Sequence, residues 1–182
     1  MKEIVYVLLA EGFEEIEAIA PVDLLRRAGV TVETVSIEGN KVVTGARGIP
    51  VVADITIRQL QFEAMRLLVL PGGYPGYENL EKSAAVKSLL RRAAEAGKEI
   101  AAICGAPSVL GKLGLLAGHS ATCYPGMEQL LNCSVLTDPV VEDGPFITSR
   151  GAGTALAFAL ALVARVVSPE KAAEIRAGIV MP

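Results

Sequence analysis

Apolar residues arrive in this chain in short dense runs, each followed by a glycine- or proline-bearing turn and then by a helical pattern. Residues 3–9, 67–70 and 99–103 are apolar at almost every consecutive position, the pattern of strands covered on both faces. A further strand is predicted over 30–37. Helices are predicted over 14–27 with Gly29 closing it, over 83–96 with Ser83 as N-cap and Gly97 behind it, over 107–113 opened by Pro107, over 154–167, and from Ser168 and Pro169 onward. Pro21 inside the first of these predicts a kink or a broken turn. Two β-branched runs, 41–44 and 49–52, are joined through Gly45 and Gly48 and read as an excursion hairpin outside the parallel core. Weaker strands follow near 121–123 and 135–136, and 140–142 is expected to pair with 146–148 across Asp143 and Gly144. Alternation of this kind predicts an α/β fold. The expected architecture is a three-layer, doubly wound sandwich with a mostly parallel central sheet, forming one domain over 1–182, with its site at the carboxyl ends of the strands.

Composition narrows the classes. Apolar residues make up 52% of the chain and charged ones 20%, which excludes intrinsic disorder. A net charge of −3 argues against a nucleic-acid partner. The longest apolar stretch, 155–164, is cut off by Arg165 and is too short to span a bilayer, so no membrane partner is expected. The chain enters a strand at once, without the apolar segment and cleavage site of a signal peptide, and a cytoplasmic location is expected. Cys104, Cys123 and Cys133 are an odd number without C-x-x-C spacing, so neither a disulfide framework nor a metal site is expected. The loop from Ser149 to Thr154 resembles a dinucleotide loop, but the glycine pattern fails at Leu156 and no acidic residue follows at the right distance, so no cofactor is expected.

The chemistry concentrates at Cys104, where the run 99–103 stops and Gly105, Ala106 and Pro107 begin a helix. A thiol at such a junction faces unpaired amides and the positive end of the helix dipole, which favour the thiolate and would make Cys104 the most acidic of the three thiols. The same cysteine also reads as a small buried apolar residue. Gly72 and Gly73 follow a strand and bring backbone amides within reach of an oxyanion, or make an ordinary tight turn. Glu14 and Glu15 read as solvated first-turn carboxylates. Glu17, among Ile16, Ala18 and Ile19, reads as a carboxyl whose apolar surroundings keep it partly protonated, able to donate to a thiolate and accept a substrate proton. His119, the single histidine, sits in a polar turn, and any Cys–His dyad must use it.

Four segments occur together in order: Glu14 to Glu17 before Pro21, Val22 and Asp23; Leu70 to Gly73; Ala101 to Cys104 with Pro107; and Thr148 to Gly151 with Gly153 and Thr154. Together they resemble the ThiJ/PfpI superfamily, in the DJ-one branch of the Parkinson-disease-associated protein deglycase, across essentially the whole chain. The resemblance implies a flavodoxin-like fold, a homodimer, and Cys104 as an oxidisable nucleophile at a strand-to-helix elbow with Glu17 as its protonated partner. It places Gly72, Gly73 and the Gly105 amide on the oxyanion side, and Arg27 and Arg47 near the site, brought together across the dimer. The implied activity is cofactor-independent conversion of small aldehydes, of glyoxalase or deglycase type (methylglyoxal to lactate), in oxidative or carbonyl stress protection. A redox-regulated chaperone or oxidation sensor acting through Cys104 is the alternative. Two departures stand out: Tyr124 occupies the place of a histidine found in many members, as a wall of the site. Gly105 replaces the histidine that follows the nucleophile in the peptidase branch, leaving a peptidase as a remote reading.

Overall fold

The computed structural model describes residues 3–182. In chain order the elements are β1 (Ile4–Leu9), α1 (Glu15–Arg27), β2 (Val32–Ser36), β3 (Val42–Thr44), β4 (Pro50–Val52), β5 (Ile55–Thr56), β6 (Met65–Leu70), α2 (Gly76–Lys82), α3 (Ala84–Glu95) and β7 (Glu99–Ile103). They continue with α4 (Pro107–Lys112), β8 (Ser120–Ala121), β9 (Ser134–Val135), β10 (Val140–Asp143), β11 (Phe146–Ser149), α5 (Ala155–Val166) and α6 (Pro169–Gly178). Seven strands form the main sheet in the order β10-β11-β7-β6-β1-β2-β5. All neighbouring pairs are parallel except β10 with β11. This is the doubly wound α/β arrangement, with the order of a flavodoxin-like sheet extended by one strand at each edge.

Dense apolar strands follow from two covered faces. Val5, Val7, Leu9, Leu67, Val69, Ala101 and Ile103 point to a core shared with α1, α5 and α6. Tyr6, Leu8, Leu68, Leu70, Ile100 and Ala102 point the other way, against α2, α3 and α4. Successive residues on a strand therefore feed different cores, and neither face can be polar. The hairpin β3–β4 and the parallel pair β8–β9 stand apart from the main sheet.

Several expectations shift. The helix α1 runs unbroken through Pro21, whose missing N–H leaves the Glu17 carbonyl without its helical donor. Its C-terminus closes as expected: Gly29 adopts φ 80° and the Gly29 and Val30 amides return to Arg26 and Leu25. Asp143 lies opposite Phe146, so the β10–β11 connection is Gly144 and Pro145, one position later than expected. The helix α2 and strand β5 carry no strong pattern of their own. Ser83 ends α2 and caps α3 by accepting from the Val86 amide.

Candidate active site

The chain crosses from one half of the sheet to the other between β1 and β6, and ligands in such sheets bind outside the carboxyl ends of the strands at that point. The loop after β1 leads into Glu17, the loop after β6 carries Gly72 and Gly73, and the turn after β7 carries Cys104. Cys104 has φ 66°, a left-handed conformation that a non-glycine residue rarely adopts. Its amide donates to the Ser149 carbonyl at 3.0 Å, and its carbonyl accepts from the Tyr124 amide at 2.8 Å. The strained turn is thus fixed from both sides, and the half-buried thiol is held between the amides of Gly73 and Gly105.

Glu17 lies beneath it, 1% exposed. Its Oε2 accepts from the Gly72 amide at 2.9 Å, and its carboxyl shares a hydrogen bond with Cys104. Glu14, at the N-cap of α1, accepts from the Glu17 amide at 2.8 Å and fixes the start of the helix. Gly72 has to be glycine. A Cβ there would stand 2.6 Å from the Cys104 Cβ and 2.7 Å from Glu17 Oε2. Its amide is spent on Glu17, which corrects the expectation that Gly72 faces an oxyanion; the amides left facing the sulfur are those of Gly73 and Gly105.

Burial pushes the Glu17 carboxyl up to about 7, and burial with the facing Glu17 charge pushes the Cys104 thiol up to about 12. Cys104 is therefore not made the most acidic thiol by helix-end amides alone; Cys123, pushed up to about 11 by burial, lies below it. The two high values describe one pair. The first proton leaves near neutrality, and the second is held because two negative charges would then face each other in a dry pocket. With that remaining proton on the carboxyl, Glu17 donates to a thiolate already facing two amides.

The hairpin β3–β4 brings a cation to the same place. The Gly12 amide donates to Thr44 at 2.8 Å, the Ala46 amide to Phe13 at 2.7 Å, and the Arg47 amide to Glu15 Oε1 at 2.7 Å. A Cβ on Gly45 would stand 2.4 Å from that carboxylate. Glu15 is thus buried and structural, not solvated as expected, and its Oε2 has no hydrogen-bond partner among the described residues. Arg47 lines the cavity over Cys104 within its own chain, so it needs no second subunit to lie there. Arg27 does not line that cavity and pairs with Asp23 at 2.9 Å. The cavity measures about 460 Å³, and Tyr124 forms part of its wall. Two further aromatic residues, unsignalled in the sequence, line it as well: Tyr74 on the rim and Tyr77, whose ring packs where a Gly105 side chain would be. The only cue for Tyr77 was that Gly105 lacks a side chain.

His119 lies elsewhere. Its Nδ1 meets Asp143 at 3.3 Å and its ring packs on Phe146, which pairs with Ile100 near the amino end of β7. No Cys–His dyad forms with Cys104. Cysteines 123 and 133 also lie outside the cavity lining. The 149–154 loop closes on itself, with Thr154 Oγ1 bonding Ser149 Oγ at 2.7 Å and the Gly151 carbonyl at 2.9 Å. Among the described residues no group of three or more His, Cys, Asp or Glu stands where it would hold a metal ion, and no helix is long and apolar enough to cross a membrane.

A model of the DJ-1/PfpI family matches residues 3–165. The chain belongs to that family. Protein dj-1beta of Drosophila melanogaster is 40% identical to it, covering 100% of this chain and 98% of that protein. A Caenorhabditis elegans protein named as a glutathione-independent glyoxalase is 32% identical, covering 93% of this chain and 91% of its own length. The structure of oxidized Toxoplasma gondii DJ-1 superposes with a TM-score of 0.93 at 36% identity, over 98% of each chain. The DJ-1/PfpI membership agrees with the flavodoxin-like order of the sheet.

Proposed function

We propose that this protein converts small α-oxoaldehydes, with methylglyoxal as the reference substrate, to 2-hydroxy acids without a cofactor. The observation that carries the reading is the pairing of a left-handed elbow cysteine with a buried carboxyl pushed up to about 7, at the foot of an open cavity. The glyoxalase name of the Caenorhabditis elegans relative supports the same class.

In this reading the Cys104 thiolate attacks the aldehyde carbon. A C–S bond forms as the carbonyl π bond opens, and the oxygen, facing the Gly73 and Gly105 amides, takes the Glu17 proton to give a hemithioacetal and leave Glu17 as a carboxylate. The Glu17 carboxylate removes the proton from the former aldehyde carbon, leaving an enediolate, and returns it to the neighbouring carbon, while the hydroxyl proton passes from the first oxygen to the former ketone oxygen. The product is a thioester of the 2-hydroxy acid, which water cleaves to release the acid and restore the thiol. The aldehyde carbon is oxidised and the ketone carbon reduced within one molecule, so no outside oxidant or reductant enters. Purified wild type should form lactate from methylglyoxal, and Cys104→Ala should form none. Lactate absent from both, or equal in both, would remove this reading.

A second reading has its own support: the half-buried Cys104 sulfur beside two amides and a carboxyl has donors ready for sulfinate oxygens. Two equivalents of peroxide would then oxidise the thiolate to sulfinate with release of two waters. Mass gain of two oxygens on Cys104, together with holdase activity but no lactate, would favour it.

We also propose a homodimer. Ile16 and Ile19 on α1 and Val42, Ile49 and Val52 around the β3–β4 hairpin are exposed on adjoining elements. Apolar side chains exposed together on neighbouring elements suit a face that a second copy of the chain would cover. Light scattering at micromolar concentration should give twice the chain mass, and Ile16→Lys should give the monomer.

A further inference from the structure

We infer that the cavity over Cys104 selects α-oxoaldehydes carried on an aromatic ring with an anionic substituent, in preference to methylglyoxal itself. The inference rests on the proposed aldehyde reaction for the reacting end of the molecule and adds what holds the rest of it. Three observations carry it. First, about 460 Å³ lies within the range of pockets that take ligands of many heavy atoms, whereas a three-carbon aldehyde fills a small part of it. Second, three of the chain's four tyrosines line this one cavity. Tyr74 is 68% exposed and Tyr124 52% exposed, so their ring faces are not used by the protein's own core, while Tyr77 closes over Gly105 with its ring 6.4 Å from that of Tyr74. Exposed aromatic rings gathered around a nucleophile offer stacking surface to a flat ligand. Third, the Arg47 guanidinium in the same lining makes no ion pair among the described residues, although its backbone is anchored on buried Glu15. An arginine without a counter-ion, carried on an anchored stretch of backbone beside stacking faces, is a receptor for a carboxylate or phosphate.

Binding of the unreactive hydroxy acids tests the pocket apart from the chemistry. The chain has no tryptophan, so tyrosine fluorescence reports mainly on this cavity, and calorimetry provides a second readout. Mandelate should bind wild type at least about tenfold more tightly than lactate. In low salt, 4-carboxymandelate should bind more tightly still, with that extra gain lost in Arg47→Gln. Tyr74→Ala, an exposed change that leaves the core untouched, should bring mandelate close to lactate. In turnover, the kcat/KM ratio of 4-carboxyphenylglyoxal over methylglyoxal should fall in both variants. Lactate and mandelate binding equally, or a mandelate preference indifferent to Tyr74→Ala, would overturn the inference even if methylglyoxal is converted. A Tyr74-dependent mandelate preference in a protein that converts no aldehyde would keep this pocket assignment and remove the reaction.

Discussion

Two carboxylates are buried near opposite ends of β7, and they are treated in opposite ways. At its amino end Glu99 is clamped between two cations: Arg165 Nε lies 2.6 Å from one carboxylate oxygen and Arg66 Nη1 lies on the other. Just past its carboxyl end Glu17 has no cation partner among the described residues; it has one backbone amide and a thiol. Charge is neutralised at the first site and left uncompensated at the second. An uncompensated buried carboxyl holds its proton to near neutrality and so remains able to exchange it, whereas a carboxylate locked to two guanidiniums is a structural staple. Under the proposed function the difference separates a reactive end of the sheet from a structural one, and it can be broken or sharpened by exchanging chemistry at each end.

The largest effect is expected at the reactive end. Glu17→Gln keeps the size of the side chain and a donor toward sulfur but removes the group that, in the proposed reaction, moves the substrate proton. Methylglyoxal turnover should fall by about 10³-fold, roughly 4 kcal/mol of transition-state stabilisation, with a near-native circular-dichroism spectrum. Turnover within a few-fold of wild type would mean that Glu17 is only the partner of the Gly72 amide.

Much of this contrast was legible beforehand, and the part that was not has physical causes. The elbow at Cys104 could be read because a short apolar run followed by glycine and proline permits little else. Glu17 stood out because its neighbours are apolar. What linear sequence does not carry is where backbone amides are spent. Gly72 looked like an oxyanion donor, and only the approach of α1 to the β6 loop shows its N–H taken by Glu17. Glu15 looked solvated because first-turn carboxylates usually are, but the β3–β4 hairpin folds over it and places Arg47 at the cavity. Both errors concern contacts 32 or more residues apart in the chain. The same holds for Glu99, which reads locally as the polar start of a strand until Arg66 and Arg165 meet it.

The second effect is on stability against pH. Glu17 stands at about 7 in the fold against an ordinary 4.5. A carboxyl raised on folding contributes stability that is complete below its unfolded value and is lost as the pH rises through its folded value. Wild type should therefore lose up to about 3 kcal/mol of unfolding free energy between pH 4.5 and pH 7.5 as the Glu17–Cys104 pair gives up its first proton. Urea titrations at several pH values should show that slope in wild type and a flatter profile in Glu17→Gln. A variant with the wild-type slope would place the titration elsewhere and leave Glu17 charged in the fold.

The smallest effect is expected at the structural end. Glu99→Gln preserves shape and some hydrogen bonding but leaves Arg66 and Arg165 without their shared counter-charge. Both guanidiniums keep partial access to water, with side chains 29% and 35% exposed, so most of the penalty for an unpaired buried cation is avoided. A loss of about 1–2 kcal/mol in urea denaturation is expected. The kinetic expectation is the sharper one. No group at that end touches the cavity over Cys104, so kcat, KM and the pH dependence of turnover should all match wild type once the folded fraction is counted. If Glu99→Gln instead moved the pH profile of turnover, charge at the amino end of β7 would be reaching the thiol through the strand. The division of the sheet into a neutralised end and a reactive end would then be wrong.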